Sequence, residues 1–266
     1  EKVFRLKFAG FLFIGVLGCG SINLPALAAM PIQQWTTANG AKVLFVETHA
    51  IPVLDISVEF DAGSRRDPAD MTGLAALANG SLDKGILSPD GNNVSESRIL
   101  DAFADAGALH GGKSGMDRAG YTLRVLSGQA ESEDAIQMMS RFLSRPSFPE
   151  ELLERDKARL VASLREELTR PESIAAKTFK RDLYIDHPYG RCPTPESVMS
   201  ITRNDHVDFH KTHYVANRAV ISIVGDVDQN RARAIADEIS RNLQTSHQEL
   251  PVLPEIRPVT SKTDSI

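Results

Sequence analysis

The chain has 266 residues, 42% hydrophobic and 24% charged, the composition of a folded globular protein rather than a disordered or fibrous one. Its formal charge is −5 and it holds no basic block, which argues against nucleic acid as a partner. Two cysteines, Cys19 and Cys192, give no basis for a disulfide framework.

Residues 1–28 read as a cleavable signal peptide. Lys2, Arg5 and Lys7 form a basic start, Phe8 to Gly20 is apolar but too short to span a bilayer, and Pro25-Ala26-Leu27-Ala28 offers an A-x-A cleavage site. Export to the periplasm of a Gram-negative bacterium follows as the expectation. The alternative is a lipobox at Val16-Leu17-Gly18-Cys19, which would tether the chain to a membrane through Cys19, although Leu17 fits it poorly. The first residue is Glu1 rather than Met, as in a sequence clipped at its start. Segment 1–28 carries three basic residues and one acidic, so its removal takes the charge from −5 to −7 and leaves Cys192 as the one cysteine.

Gln33 to Thr37, Asn39-Gly40 and Ala41 to Thr48 predict a hairpin, with Asn-Gly favouring a type I′ turn. In Val53 to Phe60, Leu54, Ile56, Val58 and Phe60 share one face and Asp55, Ser57 and Glu59 the other, the pattern of a half-buried strand. An apolar helix is expected over 71–84, a turn-rich stretch to Asn93, and a helix over Val94 to Ala106. Tyr121, Leu123 and Val125 mark a strand; Ala135, Ile136, Met139, Phe142 and Leu143 a helix. After Pro149 a long helix is read with Leu153, Leu160, Leu164 and Leu168 as its stripe. It breaks before Pro171 and resumes over Glu172 to Tyr184. Thr202-x-x-Asp205 forms a capping box for a helix ending near Tyr214, Ala219, Ile221 and Ile223 alternate as a strand, and Asp228 caps a helix to Leu243. Hairpins and helices without strict βα alternation predict an α+β fold, helices on one face of a mainly antiparallel sheet. Pro251, Pro254 and Pro258 among polar residues make 248–266 a linker.

The segment Gly73-Leu74-Ala75-Ala76-Leu77-Ala78-Asn79-Gly80-Ser81-Leu82-Asp83-Lys84-Gly85 resembles the zinc-site helix of the insulinase/pitrilysin metallopeptidases, G-[LTV]-A-H-x-x-E-H-x-x-x-K-G. Gly73, Leu74, Ala75, Lys84 and Gly85 fit the frame, while the two histidine ligands and the glutamate base are replaced by Ala76, Gly80 and Asn79. Further matches follow in order: His187-Pro188-Tyr189-Gly190, Thr194-Pro195-Glu196-Ser197, Ile201-Thr202 with Asp205, Phe209 with His213-Tyr214, and Val224-Gly225-Asp226-Val227-Asp228. Upstream, Asn39-Gly40 and Gly63-Ser64-Arg65 also resemble the family, and the likeness covers about residues 31–245.

Two histidines at i and i+4 hold one zinc, and a carboxylate beside them takes a proton from its water. Ala76 and Gly80 have no donor atom and Asn79 cannot act as a base near neutral pH. The family's third ligand is a Glu on a later helix; Ser163 stands nearest it, with Glu154, Glu166 and Glu167 in the neighbourhood. The resemblance thus implies a non-catalytic member, inactive by itself, binding no cofactor, with zinc only in a catalytic partner. It implies a metallopeptidase-like domain over 29–247, the N-terminal half of a clamshell whose second half would follow the linker. That half, and any Arg and Tyr it contributes to substrate binding, would lie beyond Ile266. The implied role is that of partner subunit in a heterodimer with an intact zinc-motif member, holding unfolded peptide by strand addition at a sheet edge. A lone half should leave an apolar face uncovered.

Two alternatives are a structural subunit without protease role and a zinc peptidase with relocated ligands. For the latter the candidates are His206, His210 and His213, at i, i+4 and i+7 of one helix. His49, His110 and His187 are assigned no chemistry. Gly107-Ala108-Leu109-His110-Gly111-Gly112-Lys113-Ser114 matches the phosphate-loop pattern literally, but it follows an amphipathic helix and precedes a strand, the reverse of a working loop. Ser114 and Ser127 lie in no G-x-S-x-G elbow, and Cys192 has no basic partner in sequence.

Overall fold

Alternating apolar residues build the central sheet. In β3 (Val53–Phe60), Leu54, Ile56, Val58 and Phe60 are buried and the intervening residues half-buried. β7 (Ala119–Leu126) pairs antiparallel with it and buries Tyr121, Leu123 and Val125 on the same face. The computed structural model describes residues 30–258, a single unit from Pro31 onward. The expected signal segment, Cys19 and residues 259–266 of the expected linker lie outside the described residues.

The hairpin β1 (Gln33–Thr36) and β2 (Lys42–Glu47) joins the sheet through β8 (Val220–Gly225), and β6 (Leu109–Ser114) forms the far edge. The six-stranded order is β1-β2-β8-β3-β7-β6, antiparallel except for β2 with β8. A small second sheet pairs β4 (Gly85–Ile86) with β5 (Val94–Ser95). Helices α1 (Leu74–Gly80), α3 (Gln129–Ser144) and α8 (Gln229–Arg241) pack on the apolar face. Around them lie α2 (Glu96–Asp105), α4 (Glu150–Glu167), α5 (Pro171–Leu183), α6 (Pro195–Ser200) and α7 (Arg203–His213), the last against α1. This is the α+β layering that the sequence predicts. Each large apolar side chain so buried contributes about 1.5–3 kcal/mol. No helix among the described residues is long and apolar enough to cross a membrane.

Local signals place the helix ends. Thr202 and Asp205 form the capping box of α7, and Asp228 Oδ1 accepts the Arg231 N–H at 2.7 Å to start α8. The hairpin turn differs from the expected type I′. Only Gly40 has positive φ, at +94°, and its N–H donates to Thr37 O, so the loop is Ala38–Asn39–Gly40 with a left-handed Gly. Asn39 keeps ordinary backbone and sends its amide to Ser240 O at the end of α8.

One further expectation changes. The buried stripe of α4 is Leu153, Lys157, Val161 and Leu164, not the series ending at Leu168; Leu164 is 4% exposed and Leu168 55%. Leu168 falls on the helix C-cap, past the last turn that touches the core. The open face of the sheet is not a continuous apolar surface. Its centre is a polar row, Thr122 beside Ser57 beside Ser222, flanked by an Asp55–Arg124 ion pair at 2.6 Å, with Leu109, Leu126 and Val224 exposed around it.

Replacing Leu164 by Ala should cost about 2–5 kcal/mol, whereas Leu168→Ala should stay within about 0.5 kcal/mol. Urea unfolding of the two variants gives the comparison; equal losses would contradict the stripe described here.

Candidate functional site

α1 is held at both ends by buried polar groups. At its start Gly73, in the left-handed region at φ +105°, turns the chain into the helix. Asp67 Oδ2 accepts the Gly73 N–H at 2.8 Å and Oδ1 accepts the Ala75 N–H at 2.7 Å, so one carboxylate serves donors that a helix N-terminus leaves unpaired. Burial pushes the Asp67 carboxyl up to about 6, outweighing the two N–H donors and nearby Arg191. Thr72 and Ser197 exchange hydrogen bonds, which ties the entry of α1 to α6.

At the other end Asn79, 3% exposed, accepts the Tyr214 hydroxyl hydrogen bond on Oδ1 at 3.0 Å. Tyr214 is fully buried and stacks on His210, and burial drives its phenol upward in pKa. Gly112 of β6 gives the Asn79 amide its room: a Cβ there would come within 2.8 Å of Nδ2. With residues 75, 78 and 79 turned inward, Ala76 and Gly80 emerge on the outside, and a Cβ on Gly80 would touch nothing within 4 Å. The three positions of the sequence motif are therefore split between surface and core. Ser163 is exposed on α4. Glu154 pairs with the buried Lys157 ammonium at 2.8 Å, Glu166 with Arg170, and Glu167 with Lys177 at 2.7 Å.

His206, His210 and His213 are buried on one side of α7, but each imidazole serves a different backbone carbonyl. His206 Nδ1 donates to Thr202 O at 2.9 Å, His210 Nε2 to Leu143 O at 2.9 Å, and His213 Nδ1 to Asp61 O at 2.9 Å. Burial lowers all three pKa values, those of His210 and His213 to about 4. Among the described residues no group of three or more His, Cys, Asp or Glu is placed to hold a metal ion.

The other singled-out residues are scattered. His49 bridges Asp226 at 2.5 Å and Glu47 at 3.1 Å, so both ring nitrogens face carboxylates. His187 accepts the Tyr189 N–H. Residues 109–114 of the phosphate-loop match are strand β6, followed in the chain by strand β7 rather than by a helix. Cys192 is half-buried beside a cleft of about 1260 Å³ between α5 and the entry of α1. Sequence reading missed one partly buried network: His110, stacked on Phe103, bonds to the Tyr121 hydroxyl at 2.6 Å, which donates to Asp83 at 2.8 Å. Only the alternation that placed Tyr121 in the core hinted at it.

Helices on one face of this sheet, with a helix in the place and frame of a zinc motif, define an insulinase-like domain. Residues 42–192 match the family Insulinase (Peptidase family M16) and residues 200–265 match Peptidase M16 inactive domain; the chain belongs to the insulinase family. A crystal structure of a peptidase M16 inactive domain from Pseudomonas fluorescens superposes with a TM-score of 0.78 at 32% identity, over 87% of this chain and 54% of that one. The Helicobacter pylori protein "Non-peptidase homolog YmxG" is 26% identical over 233 residues, 85% of this chain and 50% of its own. A probable mitochondrial-processing peptidase subunit beta of Schizosaccharomyces pombe is 22% identical over 237 residues, 86% of this chain and 50% of its own. The chain thus spans about half the length of these curated relatives. The residues at the motif helix do not fit the zinc of the catalytic family members, since a methyl group, a glycine and a core amide offer no ligand set.

Two predictions follow from this geometry. Asn79→Ala should cost about 1–3 kcal/mol, because it leaves the Tyr214 hydroxyl buried without its acceptor, while Ala76→His and Gly80→His should each stay within about 0.5 kcal/mol. Thermal and urea unfolding distinguish them, and an Asn79→Ala variant as stable as the parent would contradict the assignment. The second concerns pH. His210 and His213 titrate near 4 in the fold and near 6.5 when unfolded, so the unfolded chain binds more protons between those values. Their stability is complete above pH 6.5 and is lost as pH falls towards 4, at up to about 1.4 kcal/mol per unit for each. Asp67, raised to about 6, has the opposite sign below pH 6 but is one group against the three lowered histidines of α7. Unfolding free energy should fall from pH 6.5 to 4, and His213→Asn should flatten the slope; an unchanged slope would count against this account.

Proposed function

We propose that the chain is the N-terminal half of a non-catalytic insulinase-family protein, exported by residues 1–28 to the periplasm, that pairs with a zinc-bearing family member and helps hold peptide for it. Residues 29–247 would be the metallopeptidase-like domain and 248–266 the start of the connection to a second half. Zinc would belong to the partner alone, and a membrane would be involved only if Cys19 were lipidated. The observation that carries this reading is the fate of the motif positions: Ala76 and Gly80 face outward without donor atoms, and Asn79 is committed to Tyr214 in the core.

The likeness to a mitochondrial-processing peptidase subunit and to a non-peptidase homologue supports a paired, accessory role. The edge of β6 supports strand addition, because among the described residues only β7 pairs with it, on one side, and extended peptide can pair with the other. The acidic surface and the absence of a basic block argue against nucleic acid.

The test uses the full chain, an intact H-x-x-E-H family member from the same organism, and an unstructured fluorogenic peptide. The chain alone should leave the peptide uncleaved, form a defined complex with the zinc-bearing member in sedimentation velocity, and raise its cleavage rate. Cleavage by the chain alone that stops on adding a chelator would overturn the non-catalytic reading, and a partner neither bound nor accelerated would overturn the pairing.

A further inference from the structure

The segment after α8 has the composition of a linker and no regular secondary structure over 244–258, yet its backbone is held at close intervals. The Ala216 N–H donates to Gln244 O at 2.7 Å. Asn217 reads both backbone groups of one residue: Nδ2 donates to Ser246 O at 2.7 Å, and Oδ1 accepts the Ser246 N–H at 3.1 Å. Arg218 Nη2 donates to Gln248 O, and Arg66 Nη1 to Pro251 O at 2.8 Å. Carbonyls 244, 246 and 248 point to one side, as alternate carbonyls of an extended chain must, and three consecutive residues supply their donors.

The gripping side chains are themselves braced. Arg218 Nη1 donates to Thr212 O at 2.6 Å in the last turn of α7. Arg66 makes a two-point ion pair with Asp61, 3.0 Å from Nε and 2.6 Å from Nη2, leaving Nη1 for Pro251. Asp61 also binds Arg65, and its carbonyl accepts from His213. The side chains of Thr245, His247 and Glu249 are exposed, so what is recognised is backbone.

We propose that Ala216, Asn217, Arg218 and Arg66 form a cradle that reads extended backbone whatever its side chains. Its occupant is this chain's own segment 244–251, held as a strap that fixes where the following residues leave the domain. The strap starts at the end of α8 and finishes beside Arg66, which lies in the turn Ser64–Arg66 that leads towards α1. Whatever follows residue 251 is delivered to that side of the fold in one orientation instead of swinging freely. This goes beyond the accessory role above and does not depend on it, since neither zinc nor a partner enters the geometry.

Hydrogen exchange on the full chain tests it, read at the Ser246 amide with the Ile221 and Ile223 amides of β8 as the fold control. The Ser246 amide should exchange more slowly than a free chain on the order of tenfold, and N217A should abolish that protection while β8 is unchanged. N217D keeps the acceptor and should retain it. The triple variant T245A/H247A/E249A should also retain it, because backbone is what the cradle holds. A Ser246 amide exchanging at the free-chain rate in the parent, or a triple variant as unprotected as N217A, would overturn the proposal.

Discussion

The orientation of α1 about its own axis is the constraint on which the rest of the site depends. The Asp67 carboxylate fixes the first turn through the Gly73 and Ala75 N–H groups, and the Asn79 amide fixes the last turn through Tyr214. Between them the apolar face of the helix, Leu74, Ala75, Leu77 and Ala78, is buried against the sheet and α7. A helix so pinned cannot roll without stripping a buried hydroxyl and a buried carboxylate of their partners, each worth about 1–3 kcal/mol or more when orphaned. Ala76 and Gly80 consequently stay on the surface, and α7 stays placed so that His210 and His213 meet the Leu143 and Asp61 carbonyls.

That constraint turns a set of positions used for metal chemistry elsewhere in the family into an ordinary piece of core and surface. A carboxylate base at 79 would have to face a bound water, whereas the amide here faces inward to a phenol. Arg65, Arg66 and Asp61 lie just upstream and brace the same corner, with the hydrogen bonds of Arg66 and Arg65 lowering the Asp61 pKa against its burial. The chain's polar groups near the motif are thus spent on holding α1, α7 and the segment after α8 together.

Much of the fold was legible because its causes are local. Alternation in Val53–Phe60, the Thr202–Asp205 capping box and Asp228 ahead of α8 need only neighbouring residues to act. The family frame around residues 73–85 was equally legible, and so was the loss of donor atoms in it. What the sequence hid depends on distant partners. That Asn79 points into the core is decided by Tyr214 and by the missing side chain of Gly112. The Asn39-Gly40 turn left type I′ because the Asn39 amide finds Ser240 at the far end of the chain. Proline and polar residues made 248–258 read as a free linker, since nothing within it announces that Arg218 and Arg66 hold its carbonyls.

The central claim is that this insulinase-family domain holds α1 by core hydrogen bonds and, among the described residues, offers no metal site. Isothermal titration of zinc chloride into the metal-stripped full chain tests it most directly, with competition by a chelator of known affinity. The account predicts no stoichiometric binding, and a titration unchanged in His206→Ala and His210→Ala variants. One zinc per chain bound at submicromolar affinity and lost in those variants would contradict it.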